Sequence, residues 1–256
     1  MTDLQKFNET IDLLESGKIR VAEKINGEWT VNSEIKNQIL TGFRIGNMTD
    51  MSEGIFPFFD KDTVRPKTFS IEDGVRIVPG GSAIRRGAYL AKSVVVMPPS
   101  YINIGAFVDE GTMIDSHALV GSCAQVGKNV HLSAASQLGG VLEPIGALPV
   151  IVEDDVFIGG NCGIYEGTIL QKGCVIGTGV IINRATAIYD SISGEFIKAD
   201  AKGRMIVPER AVVIAGSRPL TKGPGKEAGI QVYTPVIIKY RDSKTSASVT
   251  LEEALR

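Results

Sequence analysis

Residues 108–138 read VDEGTMIDSHALVGSCAQVGKNVHLSAASQL, with an aliphatic residue at every sixth place: Val108, Ile114, Val120, Val126, Leu132 and Leu138. Helices repeat about every 3.6 residues and strands about every 2, so neither explains the pattern. Steps of six backwards meet Ile102, Val96, Leu90, Ile84 and Val78, again only Ile, Leu or Val. Forwards, the count breaks over GGVLEPIGALPV and resumes at Val152, Ile158, Ile164, Leu170, Ile176, Ile182 and Ile188. After YDSISGEFIKADAKGRM it returns for Val207 and Val213. Four residues after each aliphatic stands something small or compact, as at Ala106, Thr112, Ala118, Ala124, Val130 and Ser136. A hexapeptide repeat of this kind predicts a parallel β-helix. Each repeat is a short strand and a corner, and three repeats close a triangular coil. The aliphatic points inward and stacks on its counterpart one coil away, about 4.8 Å along the axis. The compact residue points inward beside the corner, where Cys162 and Cys174 are core packing. Cys123 lies off that position and receives no role.

The flanks lose the period. LQKFNETIDLLESG carries a helical apolar stripe with Gly17 as a candidate end cap. KIRVAEKINGEWTV reads as two strands around an Asn26-Gly27 turn. NSEIKNQILTGFRI reads as a second helix capped by Asn32 or Ser33. The expected organisation is a small α-rich N-terminal domain over 1–77 and a β-helix over 78–217 with insertions near 139–151 and 189–206. Over 218–256, SRPLTKGPGKEAGIQ is expected as a loop, VYTPVIIKYRD as a strand and SVTLEEALR as a short helix.

Bulk composition removes several function classes. In 256 residues, 29 glycines and only 6 % aromatics favour a backbone-dominated architecture with tight corners. A net charge of −2 gives no nucleic-acid footprint. No apolar run approaches the roughly 20 residues that cross a bilayer, so no membrane partner is expected. The start, MTDLQKFNET, lacks a basic-then-apolar signal pattern, which makes a cytoplasmic location the expectation. Three cysteines without a C-x-x-C pair argue against a disulfide framework or zinc knuckle.

Chemistry on such a scaffold must come from exposed side chains. A zinc site of three histidines cannot be assembled readily from His117 and His131, so no metal is expected. Nucleotidyl transfer would need a phosphate-binding domain, and the first 77 residues carry no glycine pattern for one. Acyl transfer from a long thioester remains: it needs a groove for the donor arm, N–H donors for the oxyanion and a base near an amine. The segment MIDSH offers Asp115 and His117 as bases, and His131 is a further imidazole. Asp109 and Glu110 read as corner residues.

Three stretches carry a resemblance: LLESGKIRVAEKINGEW, the run from GVRIVPGGSAIRRGAYLAKSVVVMPPSYINIGAFVDEG through TMIDSHALVGSCAQVGKNVHLS, and GGVLEP. Together they closely resemble the tetrahydrodipicolinate N-succinyltransferases of the hexapeptide-repeat acyltransferases. The resemblance implies a left-handed coil and a homotrimer with sites between neighbouring subunits. It also implies succinyl-CoA as co-substrate with no tightly bound cofactor, tetrahydrodipicolinate as acceptor, and a place in diaminopimelate and lysine biosynthesis. The family's substrate-binding arginine matches Arg76 in GVRIVP, and its active-site aspartate matches Asp115 in EGTMID. A guanidinium fork suits a dicarboxylate substrate. A carboxylate suits an acceptor nitrogen that must lose a proton, with Asp115 as base or transient acyl acceptor. Where relatives read A-R-S-E-V-V-E-G, this chain reads GGNCGIYEGT: the first acid is replaced by Gly163, and only Glu166 matches as a second catalytic carboxylate. Lys222 and Lys239, in the basic tail with Lys226 and Arg241, are candidate phosphate contacts for CoA. His117 reads as a groove wall and His131 as structural. The rival readings are an acetyl-CoA-dependent transferase on the same acceptor and a non-catalytic trimeric β-helix that binds a ligand.

Overall fold

A computed structural model describes residues 1–242. After Asp73 the chain winds as a three-faced parallel coil whose panels fall into two sheets of six strands and one of ten. Face one stacks Ile77, Val96, Ile114, Leu132, Ile158, Ile176 and Val213. Face two stacks Ile84, Ile102, Val120, Leu138, Ile164 and Ile182. Face three stacks Leu90, Val108, Val126, Val152, Leu170 and Val207. Nearly all are sealed from solvent, and with the compact corner residues they form one continuous core. Each such aliphatic contributes about 2 kcal/mol from apolar area removed from water.

Two columns differ from the six-residue count. Ile77, not Val78, pairs with Val96 in face one, because the corner through Gly80 and Gly81 is one residue longer. Ile188 is buried but does not stack on Leu170; Val207 takes that place. Instead Ile188–Asp190 pairs antiparallel with Glu195–Ile197 and parallel with Gln231–Tyr240, so the insertion builds its own edge on face one.

The N-terminal segment folds as its patterns require. Helix α1, Asp3–Glu15, starts in a capping box between Thr2 and Gln5 and buries Phe7, Ile11 and Leu14. The strands Ala22–Ile25 and Glu28–Val31 turn through Asn26 and Gly27, both at positive φ. Helix α2, Ser33–Ile45, is capped by Asn32, whose side chain accepts from Ile35 N at 3.3 Å. A second hairpin pairs Met48–Asp50 with Phe59–Lys61. The two helices pack on Ile104 and Cys123, corner residues of the coil between faces two and three. That gives Cys123 a place in the joint between helices and coil, where burial pushes its thiol up to about 12. Ala22 packs with Ile151 and Ile169, and Trp29 lies against the same cluster, so face three is covered from outside by the chain's own N-terminal domain.

At the other end the tail differs from the expected loop and lone strand. Ala211–Pro219 and Gln231–Tyr240 form a long antiparallel hairpin, with Pro219 opposite Gln231. Its tip holds a short helix, α3, Gly223–Glu227. The expected helix SVTLEEALR lies outside the described residues.

Candidate active site

Asp115 follows Ile114 on face one, at the corner leading to face two. Its N–H donates to Leu132 O at 2.9 Å, and its C=O accepts from Ala118 N at 3.2 Å and Ser100 Oγ at 2.8 Å. Ser100 is itself buried, so this backbone is tied from inside the coil. The half-buried carboxylate accepts from Ser116 N at 2.7 Å through Oδ1. Oδ2 has no partner among the described residues. A carboxylate with one oxygen held and the other open can accept a proton from an incoming N–H.

Arg76 lies on the same face, outward and exposed, and its guanidinium has no partner among the described residues. The register runs Arg76 to Val95 to Met113, two residues before Asp115. Two rungs place the pair about 10 Å apart along the axis. Glu166 is not brought to them within one chain. It sits on the corner between faces two and three, exposed in a cleft of about 490 Å³ with Trp29, Arg184, Lys202 and Arg204. Two of those cations are engaged: Lys202 pairs with Glu28 at 2.6 Å, and Arg204 with Asp200 at 2.7 Å.

Lys222 is exposed at the hairpin tip, beside α3, whereas Lys239 lies opposite Val212 at the hairpin base. Between Gln231 and Lys239 the strand covers roughly 26 Å, so the two lysines do not form one phosphate contact. His117 is exposed beside Asp115 at φ +63°, while His131 stacks on Phe157 with centroids 5.1 Å apart. Asp109 Oδ1 accepts from Glu110 N, and Glu110 pairs with Lys128 at 2.9 Å, on the corner between faces three and one.

The three corners differ in what they expose, a feature that reading the inward columns alone misses. From Asp115 toward the C-terminal end, the corner between faces one and two runs through Ser133, Ala134 and Ala135, then Gly159, Gly160 and an exposed Asn161, then Gly177, Thr178 and Gly179. Above Asp115 the same corner is closed by Met97, Pro98 and Pro99. The corner between faces three and one is charged at Lys92, Glu110, Lys128, Asp154 and Lys172. The corner between faces two and three carries the N-terminal helices and the 139–150 insertion. Among the described residues the first corner alone leaves an uncharged strip of mostly small residues, three rungs or about 14 Å long, with Asn161 its one larger side chain. Along it the backbone N–H groups of Ala134, Gly160 and Thr178 have no partner among the described residues. The final hairpin leaves the coil at the far end of this strip, with Tyr233 Oη accepting from Ile181 N at 2.6 Å.

Two family profiles match the chain. Residues 2–45 match the N-terminal domain of tetrahydrodipicolinate N-succinyltransferase, and residues 149–184 match the hexapeptide repeat of succinyl-transferase. A Sodalis glossinidius protein named 2,3,4,5-tetrahydropyridine-2,6-dicarboxylate N-succinyltransferase is 45 % identical over 259 residues, covering 100 % of this chain and 90 % of its own length. The chain belongs to the tetrahydrodipicolinate N-succinyltransferase family. Proteins of the same name from Legionella pneumophila and Burkholderia multivorans are 46 % and 47 % identical, covering 99 % and 96 % of this chain and 88 % and 86 % of their own. A crystal structure from Campylobacter jejuni superposes with a TM-score of 0.51 at 17 % identity, covering 98 % of this chain and 64 % of that one. The fold is thus the left-handed parallel β-helix of hexapeptide-repeat succinyltransferases. Among the described residues no helix is long and apolar enough to cross a membrane.

Proposed function

We propose that this chain transfers succinyl from succinyl-CoA to tetrahydrodipicolinate, giving N-succinyl-2-amino-6-oxopimelate and CoA in diaminopimelate and lysine biosynthesis. The observation that carries the reading is the strip of small residues that starts at Asp115. It gives an extended, thin acyl donor a bed against the coil, with the closed end at the reacting group. Backbone N–H groups along it are free to meet the donor's amides and the oxyanion.

Atom balance requires one water. Its addition across the ring C=N of the acceptor leaves an N–H nucleophile. The nitrogen attacks the thioester carbonyl while Asp115 takes the proton. The tetrahedral oxyanion then collapses and expels the CoA thiolate, which recovers the proton. Ring opening of the N-acyl product leaves the ketone. Arg76, two rungs above Asp115, anchors a carboxylate of the acceptor through a two-pronged contact. Asp115 acts as base: Ser116 N holds one carboxylate oxygen, and the other is left to take the proton.

Lys222 and Lys226, at the hairpin tip beyond the strip, supply positive charge for the donor's phosphate end; Lys239 has no part in that contact. The assembly is a homotrimer in the cytoplasm. Faces one and two keep partly exposed apolar residues on their outer sides, among them Met113, Phe157, Leu119 and Ile181, whereas face three is already covered. Close packing of neighbouring coils buries the bare faces and brings Glu166 of one subunit toward the site of another. The test is acceptor-dependent thiol release from succinyl-CoA and, separately, acetyl-CoA, with mass measured by light scattering. Release with succinyl-CoA by a particle of three chains supports the reading. Release with acetyl-CoA alone reassigns the donor, and release with neither leaves a binding scaffold.

A further inference from the structure

The outer side of face two holds a polar pair that the proposed mechanism does not use. The side chain of Tyr165 folds back over Gly163 and Gly139. A Cβ at Gly163 would fall 2.6 Å from the Tyr165 ring and 2.8 Å from its hydroxyl; one at Gly139 would fall 2.9 Å from the ring. Neither glycine is at positive φ, so the backbone does not call for glycine at either place; the ring does. Held there, the Tyr165 hydroxyl donates to Gln137 Oε1 at 3.4 Å. The Gln137 amide N–H groups have no partner among the described residues. On either side along the face the outward residues are Leu119 and Ile181, both apolar. A fixed phenol and a free amide between apolar neighbours form a hydrogen-bonding spot with donors to spare.

The pair's position relative to Asp115 indicates what it meets. Leu119 is four residues beyond Asp115, at most about 13 Å of chain, and Gln137 lies one further rung of about 5 Å along the axis. Arg76, which takes an acceptor carboxylate, is on the opposite axial side of Asp115. The strip takes the CoA arm, and the succinyl chain, which leaves the same carbonyl carbon by a different bond from the sulfur, is free to turn off the strip onto face two, where Gln137 and Tyr165 lie. The group of the donor that lies nearest the reacting carbonyl and needs hydrogen-bond donors is the terminal carboxylate of the succinyl chain.

We propose that Tyr165 and Gln137 form the subsite for that terminal carboxylate, and that they select succinyl over an acyl group without one. The proposal rests on the succinyltransferase reading above. In the bound state the phenol turns its proton from Gln137 to the carboxylate, and the amide of Gln137 supplies a second donor.

The experiment compares kcat/KM for succinyl-CoA and acetyl-CoA in the native protein, Tyr165→Phe, Gln137→Leu and the double variant. Phenylalanine keeps the ring on its two glycines, and Gln137 is exposed in the single chain, so the chain's folding is preserved; the oligomer mass of each variant is measured alongside. The expected result is a succinyl-to-acetyl preference that falls about 10- to 100-fold in the double variant, chiefly through KM for succinyl-CoA, as loss of hydrogen bonds to a charged group implies. A preference that stays the same, whether both rates fall together or neither does, overturns the subsite. Native protein that uses acetyl-CoA alone also overturns it. Native protein that transfers neither group removes the functional reading first, and the subsite with it.

Discussion

Thr112 occupies the compact inward position of its coil and is fully buried, and its hydroxyl joins two coils. It accepts from Val130 N at 3.0 Å and donates to Gly127 O at 2.8 Å in the next coil. At many other corners the equivalent N–H closes on the carbonyl three residues back, as Ala124 does on Gly121 at 3.1 Å and Ala118 on Asp115 at 3.2 Å, while Ser100 N and Cys162 N meet the hydroxyls of Ser82 and Ser136 as Val130 N meets Thr112. Here the hydroxyl is spliced into that turn. Thr112→Val removes it with little change of shape, so lost hydrogen bonding dominates and cavity formation does not. Two orphaned backbone groups cost about 1–3 kcal/mol each. If Val130 N and Gly127 O close on one another, much of one loss is regained, and the net cost is about 2 kcal/mol. Thr112→Ser keeps the hydroxyl and gives up one methyl, about 1 kcal/mol. Urea unfolding followed by circular dichroism at one fixed protein concentration measures both. The hydroxyl has no linking role if Thr112→Val lies within about 0.5 kcal/mol of native, or if Thr112→Ser costs more than Thr112→Val.

The cysteines should be silent in the native state. Cys123, Cys162 and Cys174 are all free and buried, and labelling with a thiol reagent at pH 8 should modify none until denaturant is added. Burial raises Cys123 from 9.0 to about 12, so the stability gained by burying it as a neutral thiol is full below pH 9 and is lost as pH climbs toward 12. Unfolding midpoints at pH 8 and pH 10.5, compared between native and Cys123→Ser, should differ more at the lower pH. Arg76→Ala should raise KM for the acceptor about 10- to 100-fold while kcat changes little, because a carboxylate anchor binds ground and transition states alike. An equal fall in kcat would instead place Arg76 at the reacting centre.

The coil was legible because its core is written in a strict period that no other element shares. The exceptions have local causes that the period does not encode. Gly80 and Gly81 absorb one extra residue, so Ile77 replaces Val78 in its column. Ile188 keeps the count and the burial but joins another strand, because the insertion folds as a hairpin against Gln231–Tyr240. The basic tail reads as a loop since Gly and Pro dominate it, yet Ala211–Pro219 finds an antiparallel partner. At the candidate site, Arg76 and Asp115 come from the resemblance and not from the period, which supplies only their spacing of two rungs. The small-residue corner was written in the sequence too, at 133–135, 159–161 and 177–179 with Asn161 as the one larger side chain, but becomes visible only when residues are sorted by corner. Tyr165 over its two glycines could not be read, since side-chain direction across a face is set by packing.

Asp115 as the proton acceptor at the head of the donor strip is tested most directly by one comparison: acceptor-dependent thiol release from succinyl-CoA by the native protein and by Asp115→Asn. Asparagine preserves the size of the side chain and can no longer take a proton. A fall in kcat of about 100-fold or more, with thermal stability and oligomer mass unchanged, is the expected result. Asp115→Asn turning over within a few-fold of native would contradict it and move the base elsewhere.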